Sequence, residues 1–264
     1  MKYIASWSGG KDSTASIILA HEHGEPLDLI LFSEVMFDKR ISGELPEHIA
    51  FMREKCKPIF ESWGYKVEVL RADRTYMDCF NRVVSKPRKN VQNAGKRAGF
   101  PMTGKCVINR DCKIKPIANY YKGEDLDKIV QYVGIAADEP KRLKRLNTGK
   151  PTKISLLEKY GYTEEMSKDL CQKYDLLSPM YNVATRGGCW FCPNAREPEL
   201  RHLRTNHKDL WDKLLRLENE PNLIEGKWNP LKDTALHDWD EQFFWEEQQM
   251  SIFDFMECSE QRRL

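Results

Sequence analysis

A short glycine-containing segment near the N-terminus constrains the fold more than any other feature. It reads Ser-Gly-Gly-Lys-Asp-Ser at residues 8–13 and follows residues 2–7, an apolar run of strand length. Residues 12–23 then carry apolar side chains at helical spacing and end at Gly24, which favours a helix stop. A glycine pair between a strand and a helix lets backbone N–H groups approach an anion at the helix N-terminus. The segment therefore predicts a phosphate-binding loop in an α/β protein.

The side chains of this loop indicate how it would hold a phosphorylated ligand. Lys11 supplies a positive charge, and the hydroxyl groups of Ser8 and Ser13 can donate hydrogen bonds to phosphate oxygens. Asp12 repels a bare phosphate, so we expect it to hold Mg²⁺ or to cap the helix. A Walker A loop differs, since it has glycine where Ala5 stands and Ser or Thr where Asp12 stands. The alternative interpretation is a glycine-rich turn with an ordinary helix cap.

Strand-like and helix-like patterns alternate over the first part of the chain. The strand-like apolar runs are residues 2–7, 27–32, 66–70 and 128–136. Such alternation predicts βαβ units and a parallel sheet. Later patterns are mostly helical. We therefore predict an α/β nucleotide-binding domain with a parallel sheet at residues 1–150, followed at residues 151–264 by a mostly helical C-terminal extension that contains a Cys-x-x-Cys motif.

Four of the eight cysteines favour a metal site. Cys189 and Cys192 form the Cys-x-x-Cys motif, and Cys106 and Cys112 lie far upstream. Two distant pairs of thiolates can converge on one metal, and they suit an iron–sulfur cluster or Zn²⁺. Three interpretations stay open, namely a [4Fe-4S] cluster, a structural Zn²⁺, and thiols without a metal. Three other cysteines fall in helical patterns and are expected in the core: Cys56, Cys79 and Cys171.

The distribution of charge is more informative than the net charge of +2. Basic residues are concentrated between Lys86 and Lys115 and between Lys141 and Lys153, whereas the chain is acidic from His237 onward. The basic runs favour an anionic ligand or acceptor, tRNA or DNA among them, over a merely solvated face. No apolar stretch has the length of a membrane-spanning helix, and the N-terminus shows no leader pattern. We expect a cytoplasmic protein with no membrane partner.

These motifs together resemble those of the PP-loop ATP pyrophosphatase superfamily, whose loop signature residues 8–13 match. Three further stretches resemble segments of the phosphoadenosine phosphosulfate (PAPS) reductase family within it, in the family's order: residues 111–116, residues 134–139 with Arg142, and residues 186–193. The last of these is similar to the paired-cysteine segment of phage and bacterial members. The resemblance spans roughly residues 2–215 and implies the adenine nucleotide alpha hydrolase-like (HUP) fold.

The resemblance also implies an activity and a set of site residues. It implies that ATP, with Mg²⁺, is cleaved to AMP and pyrophosphate and that the adenylated acceptor then receives sulfur, for which a sulfur donor protein would be a partner. The implied nucleotide-binding residues are Ser8, Gly9, Gly10, Lys11, Asp12, Ser13, Phe32 and Ser33. The implied acceptor-binding residues are Arg110, Lys113, Asp138, Glu139 and Arg142, with Lys11, Asp12 and Arg142 as the catalytic set. The implied metal ligands are Cys106, Cys112, Cys189 and Cys192, among which Cys106 departs from the family's adjacent cysteine pair.

Two other functions compete with ATP cleavage. In a sulfonucleotide reductase, a thiol near the C-terminus attacks the sulfate sulfur in a Glu-Cys-Gly-x-His context. Cys258 is followed instead by Ser259 and Glu260, and acidic neighbours raise the pKa of a thiol and weaken it as a nucleophile. The missing C-terminal signature and the intact phosphate loop both favour ATP cleavage. The second alternative is a nucleic-acid-binding module without catalysis, which would use the basic run and Phe100.

Overall fold

The chain forms two compact units, each built from two separate stretches of sequence. The computed structural model describes residues 1–87, 90–101, 106–146 and 149–261, with side chains as far as residue 249. The first unit consists of Met1–Asp78 and Val107–Trp190, and the second of Cys79–Cys106 and Phe191–Leu264.

The described residues contain short strands and helices in alternation. The strands are β1 (Lys2–Trp7), β2 (Leu29–Glu34), β3 (Lys66–Arg71), β4 (Arg97–Gly99), β5 (Ile129–Val133), β6 (Thr152–Ile154) and β7 (Leu223–Glu225). The helices are α1 (Lys11–Glu22), α2 (Pro46–Ala50), α3 (Lys57–Ser62), α4 (Tyr76–Phe80), α5 (Lys115–Tyr120), α6 (Pro140–Leu143), α7 (Leu156–Tyr160), α8 (Glu164–Lys173), α9 (Glu197–Asn206), α10 (Lys208–Glu218) and α11 (Leu236–Gln261).

A five-stranded parallel sheet in the order β3-β2-β1-β5-β6 organises the first unit. The central strand β1 pairs with β2, where Trp7 is opposite Phe32, and with β5, where Ala5 is opposite Tyr132. Every residue of β2 is buried, as expected for a parallel strand covered on both faces. The predicted α/β class with a parallel sheet is confirmed.

The apolar core of this unit surrounds Trp7 at the end of β1. The Trp7 ring packs edge-to-face with Phe32 and Phe60, at 5.9 and 5.2 Å between ring centroids. The indole N–H donates to Oγ1 of Thr14 on α1 over 3.0 Å, so the buried polar atom of each side chain has a partner. Cys56 and Cys171 are fully buried in this core, and Cys79 is 8% exposed in the second unit, so all three are buried as predicted.

Residues beyond 150 also belong to the first unit, and the domain boundary expected near residue 150 stays a prediction. β6 pairs with β5, and α8 packs against α1, so residues 151–190 complete the first unit. β6 has only three residues, too few for an alternating pattern to be recognised in the sequence.

Two prolines lie just after π-helical segments instead of breaking their helices. Phe51–Cys56 and Asn109–Ile114 are π-helical, and each leads directly into an α-helix with proline at its second position, Pro58 and Pro116. Proline lacks an N–H group and crowds the carbonyl of the preceding turn. A wider turn at that place lets the helical path from Pro46 to Ser62 continue, although the sequence predicts a kink or break at Pro58.

Helices α9, α10 and α11 and the parallel β4–β7 pair build the second unit. Asp240 of α11 accepts hydrogen bonds from Nε of Arg204 and from Nε1 of Trp211, each at 2.7 Å. The Arg201 guanidinium lies 4.2 Å from the centre of the Phe243 ring. Part of the acidic C-terminal charge is therefore matched within this unit. Among the described helices, none combines the length and hydrophobicity needed to span a bilayer.

β1 and β5 are neighbours at the point where the strand order reverses. There Gly134, directly after β5, lies against the backbone of Asp12 and Ser13 at the start of α1. A Cβ atom at Gly134 would lie 2.5 Å from the Ser13 amide nitrogen and 2.6 Å from the Asp12 carbonyl carbon. Real Cβ atoms do not approach backbone so closely, so only glycine fits here. In open α/β sheets, the crevice beside such a reversal is the usual place for a ligand.

We expect Gly134→Ala to lower the free energy of unfolding by about 1–3 kcal/mol, because backbone atoms must move to admit the methyl group. Urea denaturation measures this change. Gly226→Ala is the matched control, since its Cβ would meet no heavy atom within 4 Å and its φ is not positive. Equal stability of the two variants would contradict the close approach.

Candidate functional site

A cavity of about 370 Å³ opens beside this contact, within the first unit. Five residues of the predicted phosphate loop line it: Ser8, Gly10, Lys11, Asp12 and Ser13. Gly134, Glu139 and Arg142 line it from the segment after β5, and Lys113 lines it from the π-helical segment Asn109–Ile114. The structure therefore brings together most of the predicted nucleotide and acceptor residues.

The loop turns from β1 into α1 through its two glycines. Gly9 has a φ of +70°, the left-handed region that favours glycine, and Gly10 is extended and precedes the first residue of α1. The Ser13 hydroxyl donates to the Gly10 carbonyl over 3.0 Å and accepts from the Ser8 N–H over 3.2 Å. These bonds fix the backbone so that the first N–H groups of α1 lie beside the cavity.

Lys11 is paired with two carboxylates. Its Nζ lies 2.8 Å from Oδ1 of Asp12 and 2.9 Å from Oε2 of Glu164. Burial works against the charge on Lys11, but the hydrogen bonds to Asp12 and Glu164 prevail and raise its pKa. Burial raises the pKa of Asp12, and the nearby Glu164 and Glu139 add to that effect. The cavity thus holds a fixed cation that a phosphate could share with these acids.

The first amide of α1 already has a partner from far along the chain. The Lys11 N–H donates to the Tyr181 hydroxyl over 2.7 Å, and burial raises the pKa of Tyr181 to about 12. The Lys11 carbonyl accepts from Sγ of Cys171 at 3.2 Å. Tyr181 therefore supplies a neutral hydroxyl at the helix N-terminus, where an anion is favoured.

Five of the predicted nucleotide and acceptor residues do not line the cavity. Phe32 is buried against Trp7, and the Ser33 hydroxyl donates to the Lys113 carbonyl over 3.0 Å, so neither side chain lines this cavity. Asp138 accepts from the Glu164 N–H at the start of α8. The exposed Arg110 pairs with Asp111. Gly9 does not line the cavity either, and the place where a Cβ atom would project from it is occupied by Met52 and His48.

Several lining residues are not predicted by the sequence patterns: Glu44, Glu164, Tyr181, Thr185, Arg186, Gly187 and Gly188. Arg186–Gly188 belong to the paired-cysteine stretch, so glycines next to an arginine could have indicated a second loop. Glu164 follows Thr163, the N-cap of α8, and is the first residue of that helix. Glu44 and Tyr181 have no local pattern that points to the loop.

The buried His48 side chain contacts the backbone of the phosphate loop at Ser8. His48 is 1% exposed, and its Nε2 is 3.4 Å from the Ser8 carbonyl while its Nδ1 is 2.7 Å from the Ser178 hydroxyl. Because a carbonyl can only accept, Nε2 carries the proton and Nδ1 accepts from Ser178. Burial lowers the pKa of His48 to about 4, so the imidazole is neutral at pH 7.

The predicted metal ligands are divided between the two units. Cys112 and Cys189 belong to the first unit, and Cys106 and Cys192 to the second, so the shared site stays a prediction. Cys112 is fully buried, whereas the other three cysteines are partly exposed. The side chain of Cys258 lies outside the described residues.

Comparison with protein-family models gives no match, and comparison with curated proteins gives none either. Among solved structures, the U34-tRNA thiolase NcsA from Methanococcus maripaludis with its [4Fe-4S] cluster is similar at a TM-score of 0.39 and 15% identity. The match covers 84% of this chain and 67% of that one. Similarity at this level carries no argument about what this chain binds.

We expect the neutral His48 to make the protein less stable in mild acid. Its pKa is about 4 in the folded state and about 6.5 in the unfolded state, so its contribution is present above pH 6.5 and is lost as the pH falls through 4. The shift corresponds to about 3 kcal/mol. The difference between the urea denaturation curves of the wild type and a His48 variant from pH 7 to pH 4 measures it, because Glu44, whose pKa burial raises to about 7, contributes in the opposite direction over this range.

The variant His48→Gln keeps a hydrogen-bonding side chain but cannot titrate. Its stability should therefore fall less than that of the wild type over the same pH range. Parallel curves for the two proteins would show that His48 does not titrate abnormally.

Proposed function

We propose that the cavity binds ATP with Mg²⁺ and that the protein cleaves ATP to AMP and pyrophosphate, adenylating an acceptor for sulfur transfer. One observation carries this proposal. The Ser-Gly-Gly-Lys-Asp-Ser loop lines a cavity at the carboxyl ends of β1 and β5, with the N-terminus of α1 beside it. This is the arrangement in which backbone N–H groups and a helix dipole favour phosphates.

The loop residues have distinct proposed roles. Ser8 and the first-turn amides beyond that of Lys11 would donate to the phosphates, and Ser13 would give up its bond to the Gly10 carbonyl to do the same. Lys11 would move from Glu164 to a phosphate oxygen. The carboxylate of Asp12 fits Mg²⁺, which prefers oxygen ligands. When bound, Mg²⁺ would neutralise charge that develops on the departing pyrophosphate. Phe32 and Ser33, at the end of β2 beside Glu34, would lie on the side of the adenine.

The acceptor proposal rests on the other cations of the cavity. Lys113, Arg142 and Arg186 line it together with the loop, and Arg142 is held by Glu139 through contacts of 2.5 and 2.6 Å. An anionic acceptor would suit these charges. Arg110 and Asp138 stand just outside the lining and would contact only a larger acceptor, for which tRNA or DNA is proposed, with a sulfur donor protein as a further partner.

A metal site of four thiolates is the second part of the proposal. Cys106, Cys112, Cys189 and Cys192 form a donor set that suits a [4Fe-4S] cluster and also Zn²⁺. A cluster would supply an iron able to hold sulfur during delivery, whereas zinc would only tie the two sequence stretches together. The position of Cys189 directly after the lining residue Gly188 supports the cluster.

We expect Lys11→Ala to reduce the release of AMP and pyrophosphate from ATP by about 100-fold or more, because a preorganised charge on the transferring group is lost. The products are measured by chromatography. The control is Lys66→Ala, whose exposed side chain lies on the edge strand β3. Circular dichroism verifies that both variants fold.

Full ATP turnover by the Lys11→Ala protein would overturn the loop assignment. Reduction of PAPS by the wild type, without ATP cleavage, would replace the proposed reaction by that of a sulfonucleotide reductase. Salt-sensitive nucleic-acid binding without any turnover would point to a binding module.

We expect anaerobically purified protein to contain about four irons per chain and the broad visible absorption of a [4Fe-4S] cluster. Iron, sulfide and zinc analysis measures this. Cys112→Ser and Cys189→Ser should each lose iron, while Cys56→Ala, in the core, should keep it. One zinc with no iron would contradict the cluster and favour a structural metal.

A further inference from the structure

Glu44 reaches the cavity because the chain reverses direction immediately after β2. The Phe37 N–H donates to the Ile41 carbonyl over 2.8 Å, and the Gly43 N–H donates to the Val35 carbonyl over 2.7 Å. These bonds close a tight loop that returns Glu44 to the carboxyl edge of the sheet. Glu44 is only 6% exposed and lines the cavity.

Trp190 holds this loop in place. Its N–H donates to the Gly43 carbonyl over 2.9 Å, and its indole Nε1 donates to the Ser42 carbonyl over 2.8 Å. The Glu44 N–H donates to the Ser42 hydroxyl over 3.3 Å. The backbone that leads into Glu44 is therefore held by hydrogen bonds, which places its carboxyl group in the cavity wall.

The surroundings of Glu44 do not stabilise a negative charge. The basic group within 4 Å is Nε2 of His48, at 3.9 Å, and this imidazole is neutral. Burial raises the pKa of Glu44 to about 7; Glu34 adds to this effect and Lys113 on the cavity wall opposes it. A carboxylic acid that ionises near neutral pH therefore lines the cavity beside its cations.

Other charged groups of the neighbouring elements bear on this acid. Glu34 is fully buried and shares its charge with Arg53 and Arg71, so its repulsion is partly offset. The remaining titratable or charged groups nearby are Glu47 on α2, Lys11, Asp12, Glu139, Arg142, Glu164 and Tyr181 around the cavity, and Arg186 and Cys189 on the segment that carries Trp190.

We propose that Glu44 is a ligand-binding acid of the cavity, which in its protonated form donates a hydrogen bond to a phosphate oxygen, so that a nucleotide and one proton bind together. This inference rests on the proposed nucleotide-binding function. A neutral carboxyl group offers an O–H donor, whereas a carboxylate offers only acceptors and repels the phosphate. A bound polyphosphate therefore shifts Glu44 further toward its protonated form.

This coupling gives nucleotide affinity a defined pH dependence. Above the pKa of Glu44, each pH unit reduces the protonated fraction about tenfold, and affinity falls with it. Glu44→Gln replaces the acid by an amide that always donates and never titrates. Glu44→Asp keeps the acid and should keep the coupling. Glu54→Gln, an exposed residue of the adjacent π-helical segment, is the matched control.

Calorimetric titration with the magnesium complex of α,β-methylene-ATP at pH 7, 8 and 9 tests the proposal. Measurement in two buffers of different ionisation enthalpy counts the protons taken up. We expect wild type and Glu54→Gln to take up close to one proton per nucleotide at pH 8 and to lose about tenfold in affinity from pH 8 to pH 9. Glu44→Gln should bind with little pH dependence and take up fewer protons, because it lacks the carboxyl group that titrates. Any proton uptake by the ligand itself is common to all variants and cancels in the comparison.

Equal proton uptake by wild type and Glu44→Gln, with nucleotide still bound, would overturn the role of Glu44 and leave the proposed function standing. Absence of nucleotide binding in the wild type would instead refute the proposed function. An independent titration of ¹³C-labelled glutamate by NMR in the ligand-free protein then decides about Glu44. A midpoint near 7 that is absent from Glu44→Gln supports the proposal, whereas its absence from the wild type overturns it.

Discussion

The contact between Gly134 and the backbone of Asp12 and Ser13 is the constraint on which the site depends. It joins the end of β5 to the start of α1 without any side chain between them. Since β1 and β5 are neighbours on opposite sides of the reversal in strand order, the contact closes one side of the crevice. The loop then has a rigid wall behind it, so its N–H groups keep their direction when a ligand enters.

The second organising principle is the local balance of charge. Lys11 is shared by Asp12 and Glu164, Arg142 is held by Glu139, and the buried His48 is neutral. The charges of Lys11 and Arg142 are thus paired within the first unit. If the cavity binds a phosphate as proposed, the phosphate would have to replace a carboxylate partner, so its affinity would be a difference between two ion pairs.

Local sequence pattern was enough to predict the parallel sheet and the turn from strand to helix at residues 8–13, because glycine pairs and apolar periodicity act over a few positions. Glu44 and Tyr181 could not be predicted, since they reach the loop through a tight turn and through contacts between distant residues. The three-residue strand β6 is too short to show a period. The two units could not be predicted from sequence pattern, because each consists of two separate stretches of the chain. The arrangement of the four cysteines stays a prediction.

The bond between Lys11 and Tyr181 joins residues 170 positions apart, and the cavity also needs Gly188. A chain emerging from the ribosome therefore presents its phosphate loop first and completes the wall opposite only after most of its length has been synthesised. The segment Cys79–Cys106 interrupts the first unit, so the loop must also wait for residues that belong to another unit. Contacts of such long range close slowly and all at once. A chain that ends before Tyr181 therefore lacks one wall of the cavity and the partner of the first amide of α1.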